Sequence, residues 1–260
     1  MIKLKYAIFC KNDKLSDEIQ HRIMELLSEF VLDYSNPDYV IVIGGDGTFL
    51  KAVQTFHRHL DKAVFISINT GKLGFYANYL IEDIDKLPLM LKNEYGYINS
   101  HSLLEIEYNG NKAIALNEVT VSAPPRLQNY LIKVDDFLFE DYYGNGILVC
   151  SPTGSTAYNK SLGGAIVDPM IKGLELTEIA SINSRYYHTL GSSIVFDKTR
   201  VLTICPKKKE EVLLTYDAES INITLESLKV KISDRMVRFL TNEKNDFFRR
   251  VQKSFNMEEK

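Results

Sequence analysis

At 260 residues the chain is long enough for one large domain or two smaller ones with a substantial buried core. Hydrophobic residues make up 45% and charged residues 25%, with a formal net charge of -3, so no overall positive charge recruits nucleic acid or an anionic membrane. Apolar runs such as Val40 to Ile43 and Ile147 to Cys150 are strand-sized, far short of the roughly 20 residues of a membrane helix. Met1-Ile2-Lys3-Leu4-Lys5 lacks the apolar core of a signal peptide, and the expected compartment is the cytoplasm.

The first hundred or so residues alternate strand and helix signals. Tyr6 to Cys10 reads as a strand, and Ile19, Ile23, Leu26, Leu27 and Phe30 then recur at helical spacing after a possible cap at Ser16. A second strand, Tyr39 to Ile43, runs into Gly44-Gly45-Asp46-Gly47-Thr48 and the helix-like stretch Phe49 to Val53, and Val64 to Ile68 forms a third strand. Such alternation predicts a parallel sheet with helices on its faces and ligands beyond the carboxyl ends of the strands, where Asp46 and the segment 69–76 fall.

From about His101 the pattern changes to short strands at Leu103 to Tyr108, Ala113 to Ser122, Tyr130 to Val134, Ile147 to Cys150, Val201 to Cys205, Val212 to Tyr216 and Leu228 to Ile232. Glycine, proline and Asn/Asp clusters between them predict an antiparallel, sandwich-like domain. Lys207 to Glu211 reads as a solvated hairpin tip. Asp246 to Phe255 returns to helical spacing, with Phe248, Val251 and Phe255 on one side, and is expected to pack on the first domain. The expected organisation is an α/β domain of residues 1–98 with 242–260 and a β-rich domain of residues 99–241. Cys10, Cys150 and Cys205 each close an apolar run and read as small buried hydrophobes, and neither they nor the five histidines have metal-ligand spacing, so no protein metal site is assigned.

Three segments carry chemistry. In the glycine turn, backbone N–H groups can approach an anion unobstructed while the following helix points its positive end at the same place, which suits a phosphate with Asp46 beside it. The plainer alternative is a tight connection in which Asp46 or Thr48 only caps the helix. Ser151-Pro152-Thr153-Gly154-Ser155-Thr156-Ala157-Tyr158 offers four hydroxyls and a phenol within eight positions, suited to a ribose or phosphate. Its continuation to Lys160-Ser161 imitates a P-loop but has Asn159 where glycine is required, and no G-x-G-x-x-G follows the first strand. Asn117-Glu118 places an amide beside a carboxylate in an apolar run, costly to bury without partners unless it is a strand end or bulge facing water.

Together with Leu73-Gly74-Phe75-Tyr76, these segments resemble the NAD kinases in order and approximate spacing, over most of the chain. The glycine-aspartate turn alone is shared with lipid kinases and phosphofructokinases, whereas the hydroxyl-rich loop with Asn117-Glu118 is more specific. The resemblance implies transfer of a phosphoryl group from ATP or polyphosphate to the 2′-hydroxyl of the adenosine ribose of NAD, giving NADP, with Mg2+ arriving with the donor. It further implies that Asp46 is the general base and that Gly45 and Gly47 line the phosphate turn. Phe75 and Tyr76 would border the adenine pocket, Asn117 and Glu118 would hold ribose hydroxyls, and Thr153, Thr156, Ala157, Tyr158 and Ser161 would wall the dinucleotide site. Relatives tend to be homo-oligomers in which a neighbouring subunit completes the pocket, to which Ala180 is matched, and Asp217 aligns with an aspartate near the site. The chain departs from many relatives where they carry Arg-Gly-Asp-Gly, having Tyr143-Gly144-Asn145-Gly146 instead. Asn145 can accept and donate hydrogen bonds at the amide end of NAD, but an ionised acceptor makes stronger ones.

Overall fold

The computed structural model describes residues 3–71, 74–123, 125–242 and 246–255, so Leu73 lies outside the described residues. The chain folds as two compact units, one of Met1–Ser100 with Met236–Lys260 and one of His101–Arg235.

The first unit opens with β1 (Lys5–Cys10), α1 (Lys14–Leu26), β2 (Val31–Leu32), β3 (Tyr39–Ile43), α2 (Asp46–Thr55), β4 (Val64–Asn69), β5 (Tyr79–Leu80) and α3 (Leu87–Leu91). Strands β4, β3, β1 and β2 lie side by side in parallel, and β5 pairs with the end of β4 through Ile68 and Tyr79. Both faces are covered, so these strands read as continuous apolar runs. On one face Ile8, Ile41, Ile43, Ile66 and Ile68 pack with Ile19 and Ile23 of α1 and with Leu27. On the other, Phe49 of α2 meets Phe65 edge-on at 5.7 Å and stacks on Tyr76 at 5.0 Å. The cap of α1 is Asp13 rather than Ser16: the Asp13 carboxylate accepts the Ser16 backbone N–H at 2.9 Å, and Ser16 itself is buried within the first turn. A carboxylate suits this place because it also opposes the helix dipole.

The second unit takes up β6 (Tyr97–Tyr108) from its residue 101, then β7 (Asn111–Ala115), β8 (Glu118–Ser122), β9 (Gln128–Val134), β10 (Phe137–Gly144), β11 (Gly146–Cys150), α4 (Tyr158–Ser161), β12 (Gly173–Ile179), β13 (Ile194–Asp197), β14 (Leu202–Pro206), β15 (Glu211–Tyr216), β16 (Glu219–Thr224) and the first part of β17 (Leu228–Thr241). One layer has the order β10-β9-β14-β17-β6-β7, the other is a six-stranded antiparallel sheet, β13-β12-β11-β8-β15-β16. Inward residues of both layers, including Ile132, Ile204 and Val230 against Val119, Val121, Val149 and Leu214, share one core, the expected sandwich.

Several local expectations are corrected. The strand read as Ala113 to Ser122 is two, β7 and β8, because the backbone at Leu116 and Asn117 bonds out of the ladder, as described below. Lys207 to Glu211 is not a hairpin tip: β14 and β15 belong to different layers, and the segment crosses between them, with Lys207 paired to Asp141 and Lys209 to Glu226. Strands β10, β12, β13 and β16 lie in stretches read as connections. Cys150 is buried, but Cys10 and Cys205 are only partly so.

Returning to the first unit, Arg238 and Phe239 of β17 pair in parallel with Val64 and Phe65 of β4, and α5 (Asp246–Phe255) follows. The buried member of α5 is Arg250, while Phe248 is exposed. The face toward the rest of the first unit keeps Phe255, which stacks on Phe75, but turns Phe248 outward and places a guanidinium where backbone carbonyls accept it.

Candidate active site

At the carboxyl end of β3, Gly44 takes φ +151°, and a Cβ there would lie 2.7 Å from the Thr48 Cβ, so this glycine is required by the turn itself. Gly45 is the N-cap of α2 and accepts the Thr48 and Phe49 N–H groups through its carbonyl. Among the described residues, a Cβ on Gly45 or Gly47 would meet nothing within 4 Å. Packing among the described residues thus gives no reason for glycine at these two positions, and leaves room beside them for a ligand.

Asp46 is the first residue of α2, where the helix dipole favours its charge. Its Oδ2 accepts the Phe75 N–H at 2.7 Å and its Oδ1 accepts the Tyr76 N–H at 2.9 Å. Two adjacent N–H groups fix the carboxylate plane, and each oxygen keeps a second lone pair for another donor. The carboxylate rests against Gly74, where a Cβ would come within 2.6 Å of the Asp46 Cγ. The Tyr76 ring is buried against Phe49, while Phe75 lies against α5, 6.0 Å from Phe255 and 6.4 Å from Phe247.

The second unit repeats this device. Asp217, in the turn between β15 and β16 at φ +50°, accepts the Leu116 N–H at 2.7 Å and the Asn117 N–H at 2.8 Å, and returns its own N–H to the Glu118 carbonyl at 3.1 Å. Ser151 holds the same two residues from the other side: its Oγ donates to the Leu116 carbonyl at 2.5 Å and its N–H to the Asn117 carbonyl at 2.8 Å. Gly154 lets the hydroxyl loop lie directly on Asn117, since a Cβ there would sit 2.6 Å from the Asn117 Cα.

Asn117 is therefore buried, not a strand end facing water. The Glu118 Oε2 is buried without a hydrogen-bond partner among the described residues, and burial, with the Asp217 carboxylate as a second cause, pushes the Glu118 carboxyl up to about 8. Thr153, in the 3-10 turn Thr153–Thr156, likewise has a buried Oγ1 without a partner among the described residues. Thr156 donates to the Thr153 carbonyl at 3.4 Å, while Tyr158 and Ser161 are exposed. Buried polar atoms left unsatisfied in the protein mark places where a bound molecule can complete them.

Asn145 and Ala180 form a separate group. The Asn145 N–H bonds to the Ile179 carbonyl at 3.0 Å, and Ala180 follows with φ +47° on the exposed surface. They lie at the opposite end of β11 from Ser151, and at about 3.4 Å per residue that strand separates them from the hydroxyl loop by roughly 20 Å.

The ATP-NAD kinase N-terminal domain family matches residues 8–95, and the ATP-NAD kinase C-terminal domain family matches residues 116–241. NAD kinases of Staphylococcus aureus strains JH9 and Newman are each 36% identical to this chain over 265 aligned positions, covering 97% of both sequences. The chain belongs to the NAD kinase family. Among solved structures, that of yeast NADH kinase complexed with NADH has a TM-score of 0.85 at 18% identity, over 99% of this chain and 89% of that one. An Archaeoglobus fulgidus NAD kinase in complex with ATP has a TM-score of 0.77 at 22% identity, over 96% of this chain and 99% of that one. Both share the fold of this NAD kinase family member.

Around these residues the structure adds supports that the sequence reading left out of the site. Asn159, noted only for spoiling a P-loop pattern, is buried at the heart of α4: its Nδ2 donates to Glu175 Oε2 at 2.9 Å and its Oδ1 accepts from Thr177 at 2.7 Å. Gly74, quoted only as part of Leu73-Gly74-Phe75-Tyr76, is a further example. A polar residue within an otherwise apolar stretch, as with Glu175 and Thr177 in β12, was the available signal.

Proposed function

We propose that this NAD kinase family member transfers a phosphoryl group from ATP or polyphosphate to the 2′-hydroxyl of the adenosine ribose of NAD, with Asp46 as the general base. The observation that carries the reading is the Asp46 carboxylate, clamped by two backbone N–H groups at the start of α2 beside two glycines whose Cβ positions are open. As the ribose oxygen bonds to phosphorus, its proton passes to Asp46 and the bond from phosphorus to the donor's leaving oxygen breaks. Such transfer asks little covalent chemistry of the protein, so positioning and charge neutralisation dominate. Gly45 and Gly47 line the donor phosphates, and Phe75 and Tyr76 border the adenine.

Asn117 and Glu118 receive ribose hydroxyls, and Thr153, Thr156, Ala157, Tyr158 and Ser161 wall the dinucleotide. The unpartnered Thr153 and Glu118 oxygens support this assignment. The divalent cation is read as a group that enters with the donor, and no protein ligand is assigned to it. When bound, it would neutralise donor phosphate charge. The roughly 20 Å between the Asn145 and Ala180 end of β11 and the hydroxyl loop supports a homo-oligomer in which each copy lends that end to a neighbour's NAD. The enzyme is assigned to the cytoplasm. Among the described residues no helix is long and apolar enough to cross a membrane.

The test is a coupled assay with NAD, ATP and Mg2+, reading NADP with an NADP-specific dehydrogenase, beside Asp46→Asn. A positioned base contributes about 10² to 10⁴ in rate, and kcat should fall by about that much. Unchanged kcat in the folded variant would remove Asp46 from the role of base. Absence of NADP with both ATP and polyphosphate, from protein that binds NAD, would indicate a nucleotide-sensing module.

A further inference from the structure

Arg250 is the buried residue of α5, 6% exposed. Its guanidinium donates to the Gly74 carbonyl, to the Ala77 carbonyl at 3.1 Å and to Asn78 Oδ1 at 2.7 Å. Asn78 passes the restraint on, donating through Nδ2 to the Tyr76 carbonyl at 2.9 Å, and the Ser67 hydroxyl bonds to that same carbonyl. One rigid cation therefore grips the segment 74–78 at several acceptors. This segment supplies both N–H groups that hold Asp46.

The decisive detail is the peptide between Gly74 and Phe75. Its carbonyl accepts from Arg250 and its N–H donates to Asp46 Oδ2 at 2.7 Å. A cation and a carboxylate thus face opposite ends of one amide dipole. Hydrogen bonds in series polarise one another, so the guanidinium strengthens the bond that fixes the carboxylate, and the planar fork of arginine sets the plane of the amide.

We infer that Arg250 is a positioning residue for the phosphoryl transfer, holding the Gly74–Phe75 peptide so that Asp46 keeps its orientation toward the ribose hydroxyl. The inference rests on the reading of Asp46 as the base. It makes the closing helix part of the catalytic apparatus, since the helix delivers a charge to the far side of the peptide that Asp46 leans on. Lysine replaces this function only in part, because its three donors sit on a flexible stem and lack the planar fork that fixes the amide plane.

The experiment is a double-mutant cycle of Arg250→Met with Asp46→Asn, reading kcat and the KM for NAD in proteins checked for folding by circular dichroism. In the wild-type background Arg250→Met should lower kcat by about 10²-fold, the effect of a small misplacement of a catalytic group, and leave the KM for NAD within about threefold. In the Asp46→Asn background the same substitution should change kcat by less than about threefold, because residues that act as a unit are not additive. Arg250→Lys should lose about tenfold in kcat and show the same non-additivity, and it carries the comparison if Arg250→Met does not fold. An equal loss from the Arg250 substitution in both backgrounds would reduce Arg250 to a structural anchor, and an unchanged kcat in a folded Arg250→Met protein would overturn the inference outright. Full activity of Asp46→Asn alone would instead sink the reading of Asp46 as base, and the inference with it, in a separate arm of the same cycle.

Discussion

Glu118→Gln offers a prediction whose size can be worked from the structure. Glu118 begins β8 opposite Cys150, with Oε2 buried and unpartnered and the Asp217 carboxylate nearby. Its carboxyl is pushed from an ordinary value of 4.5 up to about 8, first by burial and second by Asp217. The folded protein therefore binds this proton more tightly than the unfolded chain. Below the ordinary value both states carry the proton and the group costs nothing. Between there and about pH 8 the unfolded chain gives it up while the folded protein retains it, so stability falls by about 1.4 kcal/mol for each pH unit. At pH 7 the cost is about 3 kcal/mol. Glutamine keeps the shape and cannot ionise, so the stability of Glu118→Gln relative to wild type should climb steadily from pH 5 to pH 8 and level off above. Urea unfolding followed by circular dichroism measures this: with an m value of about 3 kcal/mol/M, the midpoints should separate by about 1 M more at pH 7 than at pH 4.5. Midpoints that keep a constant separation over this range would refute the account of Glu118 as a carboxyl held protonated by its surroundings.

Three further outcomes follow from the geometry. Thr153→Val removes a hydroxyl whose oxygen is buried without a partner in the protein, so thermal unfolding should shift by less than about 1 kcal/mol while the KM for NAD rises about tenfold, the worth of one hydrogen bond. Gly74→Ala places a methyl group 2.6 Å from the Asp46 Cγ and should lower kcat by about 10²-fold with a smaller change in the KM for NAD, as steady-state kinetics would record. Glu140 and Glu178 form a buried carboxyl pair that accepts the Leu190 and Gly191 N–H groups. Burial first, and then the Glu178 carboxyl within hydrogen-bonding reach, raises the Glu140 carboxyl above the usual range, with the charge of Asp141 adding to it. The proton held by the pair contributes stability at low pH that is lost as pH rises through this raised value. Amide exchange of residues 188–191, corrected for its intrinsic pH dependence, should therefore accelerate between about pH 5 and pH 7 in wild type, level off above, and stay level throughout in Glu140→Gln.

Much of the first unit was legible because its signals are local. The apolar runs of β1, β3 and β4 must be buried on both faces, and a glycine turn between strand and helix has few physical uses. The second unit was legible as a class but not in detail. Alternating apolar residues announce strands, yet nothing in Lys207 to Glu211 tells whether the next strand joins the same layer or the other. The break at Leu116-Asn117 is invisible in a run that reads as one strand, because what breaks it is Asp217, 100 residues later, and the Ser151 hydroxyl.

The sequence alone determined the order of an α/β unit and a β-rich unit, the strand-end placement of Asp46, and the hydroxyl-rich loop with Asn117 and Glu118. Each depends on neighbours within a few residues, where spacing and side-chain chemistry leave little freedom. Only the tertiary structure decided how those groups are held. Asp46 leans on the Phe75 and Tyr76 amides, burial with Asp217 beside it raises the Glu118 carboxyl, and Arg250 reaches the Gly74 peptide from a helix 176 positions away. A backbone amide carries no sequence signature, since every residue but proline has one, and a pairing made through it is fixed only when the chain has folded.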